Sequence, residues 1–208
     1  MKEDLLTAEK LFGQETLANM TTRKFHVVLT HLSDGLTLWL NRNDNCVDEG
    51  MWSLSLRDSE GKRLYMATFA LVDGKLLAAS IQGPAGEEAK DLVRSLTKQL
   101  HGLRPQQLMA TALQYFSASL NLGGVIGITQ DNQVKLRWRL KKRVKMNYDQ
   151  FWQENGAILG DDGYWHLPQI PPRKDLTEIE SKKRSMYRKR YQMLDNMAVE
   201  MQACFSKT

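Results

Sequence analysis

The stretch Gln99-Leu100-His101-Gly102-Leu103-Arg104-Pro105, with the apolar run Val125-Ile126-Gly127-Ile128 beyond it, decides how the chain is read. A glycine-bearing turn that opens a helix leading into a buried strand is a common anion site, because the helix start offers unpaired N–H donors and a positive dipole end. Pro105 suits the first position of that helix. The helix then carries Leu108 or Met109, Ala112, Leu113, Phe116 and Leu120 on one face and stops at Gly123-Gly124.

Ahead of the turn, Ala89, Leu92, Val93, Leu96 and Leu100 follow one helical face, with Glu87 and Glu88 in the first turn where the dipole favours them. Further upstream, Trp52, Leu54 and Leu56 alternate with Ser53, Ser55 and Arg57, the period of a half-buried strand. Leu64 to Leu71 and Lys75 to Gln82 supply two more strands around the hairpin signal Asp73-Gly74, so the three form an antiparallel meander that Pro84 ends. Before it come a helix over Glu3 to Phe12, a strand within Phe25 to Leu32, the alternating run Leu36 to Asn41, and a turn-rich loop over 41–45.

On the other side of Ile128, Lys135, Arg137, Arg139 and Lys141 alternate with Leu136, Trp138 and Leu140, so a strand there has one cationic face. Asp149 to Asn155 reads as a helix ended by Gly156, and Asp161-Asp162-Gly163 joins two short strands around Ile158 and Trp165. Pro168, Pro171 and Pro172 mark a boundary. From Asp175 to Phe205, the residues Tyr187, Tyr191, Leu194, Ala198, Met201 and Phe205 recur at three- and four-residue steps, and Thr177-Glu178-Ile179-Glu180 fits a capping box. The expected class is α+β: a mixed, mostly antiparallel central sheet with flanking helices over 1–172. A basic C-terminal helix over 173–208 packs on it or extends from it.

The chain has 208 residues, 42% of them hydrophobic, with a net charge of +5 and a pI near 9.2. That balance favours an anionic partner, whether a membrane surface, a nucleic acid or an acidic ligand, although charge speaks to association rather than fold. Cys46 and Cys204 stand far apart and in no metal-like spacing, so neither a disulfide framework nor a metal site is expected. A reduced, cytoplasmic setting fits best. No apolar run approaches the roughly 18 residues of a bilayer-spanning helix, so any membrane contact is expected to be peripheral, at the inner membrane.

Several stretches together resemble the VirK/YbjX family, a domain of unknown function. They are Phe69 to Leu71 with Ser80-Ile81-Gln82-Gly83-Pro84, then Leu100 to Pro105, Tyr148-Asp149-Gln150-Phe151-Trp152, and above all Ser181 to Tyr191. The resemblance implies an association with virulence, envelope integrity and tolerance of cationic antimicrobial peptides, and no established reaction. It also implies relatives that are longer at the N-terminus.

The order of meander, glycine turn, helix, strand, helix and two short strands is similar to the Gcn5-related N-acetyltransferase fold. In that resemblance Gln99, Gly102, Leu103 and Arg104 stand at the acyl-CoA pyrophosphate loop, so acyl-CoA is the cofactor it implies and an acyltransferase of unknown substrate the activity. Three features depart from the pattern. Arg104 replaces the small last residue of the loop, Pro105 deletes a donor, and Trp152 occupies the position of the tyrosine general acid, where an indole cannot deliver a proton. No catalytic residue is therefore assigned. Arg104 could instead grip a phosphate with its guanidinium fork.

Each sharp reading has a plain counterpart. The Gly102 turn fits an ordinary inter-helix connection, and His101 a surface histidine; Glu87 and Glu88 are explained by the dipole without a role as general base. Lys182, Lys183, Arg184, Arg188, Lys189 and Arg190, interleaved with Met186 and Tyr187, fit a helix that lies on an anionic surface. They fit equally a helix docked on its own domain with a charged outer face. The rival to an acyltransferase is thus a non-catalytic basic module that uses this block and the strand from Lys135.

Overall fold

Alternation builds the sheet outward from the hairpin at Asp73 and Gly74, whose φ values of 48° and 70° are the left-handed pair that a two-residue turn between twisted strands requires. The computed structural model describes residues 2–21, 26–43, 49–133 and 146–205. In chain order these form α1 (Lys2–Phe12), α2 (Gln14–Thr21), β1 (His26–His31), β2 (Thr37–Arg42), β3 (Trp52–Arg57), β4 (Arg63–Val72) and β5 (Lys75–Gln82). Then follow α3 (Ala89–Gln99), α4 (Pro105–Ser119), β6 (Val125–Gly127), α5 (Tyr148–Glu154), β7 (Ile158–Leu159), β8 (Trp165–His166) and α6 (Ser181–Phe205).

The strands lie in one sheet in the order β1-β2-β3-β4-β5-β6-β8-β7. Every neighbouring pair is antiparallel except β5 and β6. A parallel pair needs a crossover, and α3 and α4 provide it. The mixed, mostly antiparallel sheet with flanking helices and a long C-terminal helix is the class expected from the sequence.

The core forms where α1, α4 and α6 meet the sheet. Phe116 of α4 lies against Phe12, Phe69 and Phe205, with ring centroids 6.2, 5.4 and 5.7 Å away. Because α6 and α3 also pack on α4, its burial is not confined to the expected face: Ala110, Thr111, Gln114 and Ser117 are buried beside Leu108, Met109, Ala112 and Leu113. Met193, Leu194, Met197 and Met201 of α6 enter the same core. Further along, α6 meets the open edge of the sheet, where the His31 N–H donates to Glu200 Oε2 at 2.9 Å and Cys204 Sγ donates to Leu29 O at 3.6 Å.

Four expectations change. The second helix, α2, carries no strong apolar period and was not foreseen. Strand β3 is buried on both faces from Trp52 to Leu56 instead of one. The long helix begins at Ser181, not at Asp175, because the Asp175 side chain accepts the Thr177 N–H at 2.7 Å and caps a separate turn over Leu176–Glu178. The end of α4 is set by Asn121 at φ 53°, with Leu122 N–H donating to Ser117 O at 3.0 Å, so Gly123-Gly124 lies just past the stop.

On α5, Trp152 Nε1 donates to Ile128 O at 2.9 Å, and Tyr148 Oη accepts the Ile81 N–H at 3.1 Å. Trp152 is completely buried against Gly127, where any Cβ would overlap its ring. Gly127→Ala should therefore cost about 1–3 kcal/mol of overpacking. The loss should shrink when Trp152→Phe is introduced with it, as a double-mutant cycle by urea unfolding would show.

Candidate functional site

The turn after α3 is closed by the helix it follows. The His101 N–H donates to Lys98 O at 3.1 Å and the Gly102 N–H to Thr97 O at 2.7 Å, the paired bonds of a Schellman cap, with His101 at φ 51° and Gly102 at φ 78°. The Leu103 N–H bonds Leu100 O at 3.0 Å. The amides that an acyl-CoA loop would turn toward a pyrophosphate thus serve the end of α3. Among the four residues that the sequence singles out, Gln99 gives its carbonyl to Ser33 Oγ at 2.8 Å, Leu103 is buried and Arg104 is exposed.

Gly102 sits where α6 crosses. A Cβ there would lie 2.8 Å from Arg190 Nη2 and 3.0 Å from the Met186 side chain, so a close helix approach accounts for the glycine. Arg190 donates from Nε and Nη2 to His101 O at 3.1 and 3.0 Å, satisfying a carbonyl at the turn, and its guanidinium stacks 4.1 Å above the Tyr187 ring. Neither Met186 nor this use of Arg190 was foreseen. The one signal was the spacing of 186, 190, 193 and 197, a second seam beside the tyrosine seam.

The six bases of the block divide by role. Arg190 holds the turn, and Arg184 donates from Nε to Ile179 O at 2.8 Å and from Nη2 to Thr177 O at 3.3 Å, tying down the approach to the helix. Lys182 and Lys183 reach Glu180 at 3.3 and 3.4 Å with side chains 78% and 52% exposed, a solvent-screened pairing that leaves both ammonium groups accessible. Arg188 and Lys189 are exposed. Lys135, Arg137 and Arg139 lie outside the described residues.

The helix is strapped down by the proline segment before it. Arg173 donates to Asp195 Oδ1 at 2.6 Å and to Tyr115 Oη at 2.9 Å. Burial opposes its charge, but these bonds outweigh burial and raise its pKa above the ordinary arginine value. The Asp175 carboxyl is held below its usual range by hydrogen bonds from the Thr177 hydroxyl and N–H.

Two further features lie away from the turn. Past Ala78, where β5 leaves β6, the β5 backbone is bonded by Gln133 Nε2, which donates to Ala79 O at 3.0 Å, and by Tyr148 at Ile81. On the sheet face opposite α4, Asn41, Ser53, Thr68 and Ser80 stand in cross-strand register, with Thr68 and Ser80 hydroxyls 2.7 Å apart. A cavity of about 330 Å³ opens at the far end of α4, between Gln114, Ser117, Asn121, Val125 and Pro168. Among the described residues no cluster of three or more His, Cys, Asp or Glu could hold a metal ion, and no helix is long and apolar enough to cross a membrane.

The family described as "Protein of unknown function (DUF535)" matches residues 1–203. An uncharacterized protein of Haemophilus influenzae is 39% identical over 201 residues, covering 96% of this chain and 68% of that protein. The uncharacterized protein YbjX of Escherichia coli is 32% identical over 76% of this chain and 50% of its own length. A protein of Mannheimia haemolytica named membrane protein LapB is 44% identical over 47% of this chain and 44% of its own length. The chain thus spans half or less of the latter two. Among solved structures, a cAMP-binding acyltransferase from Mycobacterium smegmatis aligns over 96% of this chain and 64% of its own, with 10% identity and a TM-score of 0.34.

The turn makes two opposite stability predictions. His101→Gly should stabilise the protein by about 1 kcal/mol, because glycine removes the left-handed penalty at that position. Arg190→Ala should cost about 1–3 kcal/mol by orphaning the His101 carbonyl, and Arg190→Lys should recover little of it because the two-pronged donor is lost. Denaturant unfolding of the three variants reads both signs.

Proposed function

The chain belongs to the DUF535 family, the group that includes YbjX, and from that premise we propose that it is a non-catalytic basic module that docks on anionic membrane surfaces through the N-terminal half of α6. One observation carries this reading: the helix is anchored at one end and charged at the other. Met193, Leu194, Met197 and Met201 fix its C-terminal half in the core, while Lys182, Lys183, Arg188 and Lys189 stand exposed on the half before it. These bases stand on a helix that is already folded, so docking needs no folding step, and each base that reaches an anionic leaflet contributes about 1 kcal/mol. The name of the LapB relative as a membrane protein supports the choice of a lipid partner over nucleic acid. Docking at the cytoplasmic side of the inner membrane would connect the chain to envelope integrity.

A second reading, an acyl-CoA-dependent acyltransferase, draws on the crossover from β5 to β6 that ends in the Gly102 turn. It ranks behind because the His101, Gly102 and Leu103 amides would have to leave their partners in α3 to meet a pyrophosphate. Arg104, exposed at the helix start, is the residue it leans on. A rise in melting temperature with acetyl-CoA or longer acyl-CoAs that Arg104→Ala abolishes would promote this reading over the first.

Vesicle flotation tests the membrane reading. The protein should float with phosphatidylglycerol vesicles, stay behind with phosphatidylcholine, and release as salt rises. Changing Lys182, Lys183, Arg188 and Lys189 together to Gln should weaken partitioning by at least about 100-fold, on the order of 1 kcal/mol per base. Unchanged partitioning of that variant, or tighter salt-dependent binding to duplex DNA than to vesicles, would sink the reading.

A further inference from the structure

The cavity at the C-terminal end of α4 stands at the opposite end of that helix from the Gly102 turn. Its volume of about 330 Å³ is near the lower bound of the roughly 300–1,000 Å³ that small-molecule sites occupy. Gln114, Ser117 and Asn121, three and four residues apart and so on one helical face, form its wall on the α4 side. Gln114 is 3% exposed and its amide is held in place, because Nε2 donates to Pro168 O of the proline segment at 2.6 Å. Among the described residues, Gln114 Oε1 has no hydrogen-bond partner. Ser117 Oγ is likewise buried without one, whereas Ser119 donates to Phe116 O at 2.8 Å, the ordinary destination of a helical hydroxyl.

The lining narrows what can enter. Four neutral polar side chains, Gln114, Ser117, Asn121 and Gln169, share it with Leu122, Val125 and Pro168, and among the described residues no ionisable or aromatic side chain lines it. A charged ligand would give up water with no counter-charge to meet it. An anion would in addition face the negative end of the α4 dipole. A planar ring finds no aromatic face to stack on. An uncharged aliphatic group that both donates and accepts is what remains, and a secondary amide has that pair of functions. Gln114 Oε1 can take its N–H, and the amide NH2 groups of Asn121 and Gln169 can serve its carbonyl. An occupant without the N–H would take water from Gln114 Oε1 and give nothing back, so the site selects for the amide as well as admitting it.

We propose that this cavity binds an uncharged aliphatic secondary amide, carried by an acetamido sugar or by an N-acylated amino-acid unit, with Gln114 accepting its N–H and Asn121 and Gln169 donating to its carbonyl. The site is independent of the membrane reading above and is tested on the full chain without lipid. The two probes are N-acetylglucosamine and N-acetylalanine methylamide, titrated while the backbone amide signals of the protein are followed by NMR. One of them should shift the signals of residues 114–125 with a dissociation constant on the order of 1 mM or tighter, and which one does so assigns the source. Glucose, which lacks the amide, and N-acetylalanine, which carries a carboxylate, should bind at least about ten-fold more weakly. Ala118 is an exposed helix residue that lines the cavity, so Ala118→Leu should fill the space, leave the melting temperature unchanged and remove binding. Gln169→Ala, also at an exposed position, should weaken binding at least about three-fold by removing a donor. No response to either probe at about 20 mM overturns the site. Binding that both variants leave intact places the contact elsewhere and overturns it as well. Equal binding of glucose or N-acetylalanine removes the amide as the determinant and overturns the assigned ligand class.

Discussion

The parallel pairing of β5 with β6 is the constraint on which the rest depends. A chain that has run through five antiparallel strands cannot place a parallel neighbour without crossing over, and here α3 and α4 make the crossing. That puts the Gly102 turn at one end of α4 and the start of β6 at the other. It also leaves α4 surrounded, with the sheet on one side and α6 on another, so a helix that looks one-faced in sequence is buried nearly all round.

Much of this was legible. The meander, the two crossover helices, the strand after them and the closing helix with its pair of short strands all follow from period, turn residues and proline positions. Periodicity reports alternation but not what covers each face, so Ser53 and Ser55 looked solvent-facing although both are buried in a polar row. The start of α6 was misread for a local reason. Thr177 and Glu180 have the spacing of a capping box, yet Asp175 satisfies the Thr177 N–H first and turns the chain before the helix begins.

The candidate site was legible as a set of residues and not as a set of roles. A glycine in a turn between helices is equally suited to a phosphate and to a neighbouring helix, and only the position of Met186 and Arg190 over Gly102 separates the two. The same holds for the basic block. Six cations within nine residues look alike in sequence; in three dimensions Arg184 and Arg190 spend their donors on backbone carbonyls and the other four face solvent. What distinguishes them is which turn of α6 passes over which carbonyl.

The contacts of Glu200 and Cys204 with β1 reach beyond the folded state. His31 and Glu200 are 169 positions apart, so at ordinary synthesis rates of 5–20 residues per second β1 waits roughly ten to thirty seconds for the side chain that occupies its outer N–H. During that interval the nascent sheet has an open edge able to recruit another strand. The helix that carries the bases is therefore also the piece that makes the finished sheet safe in company.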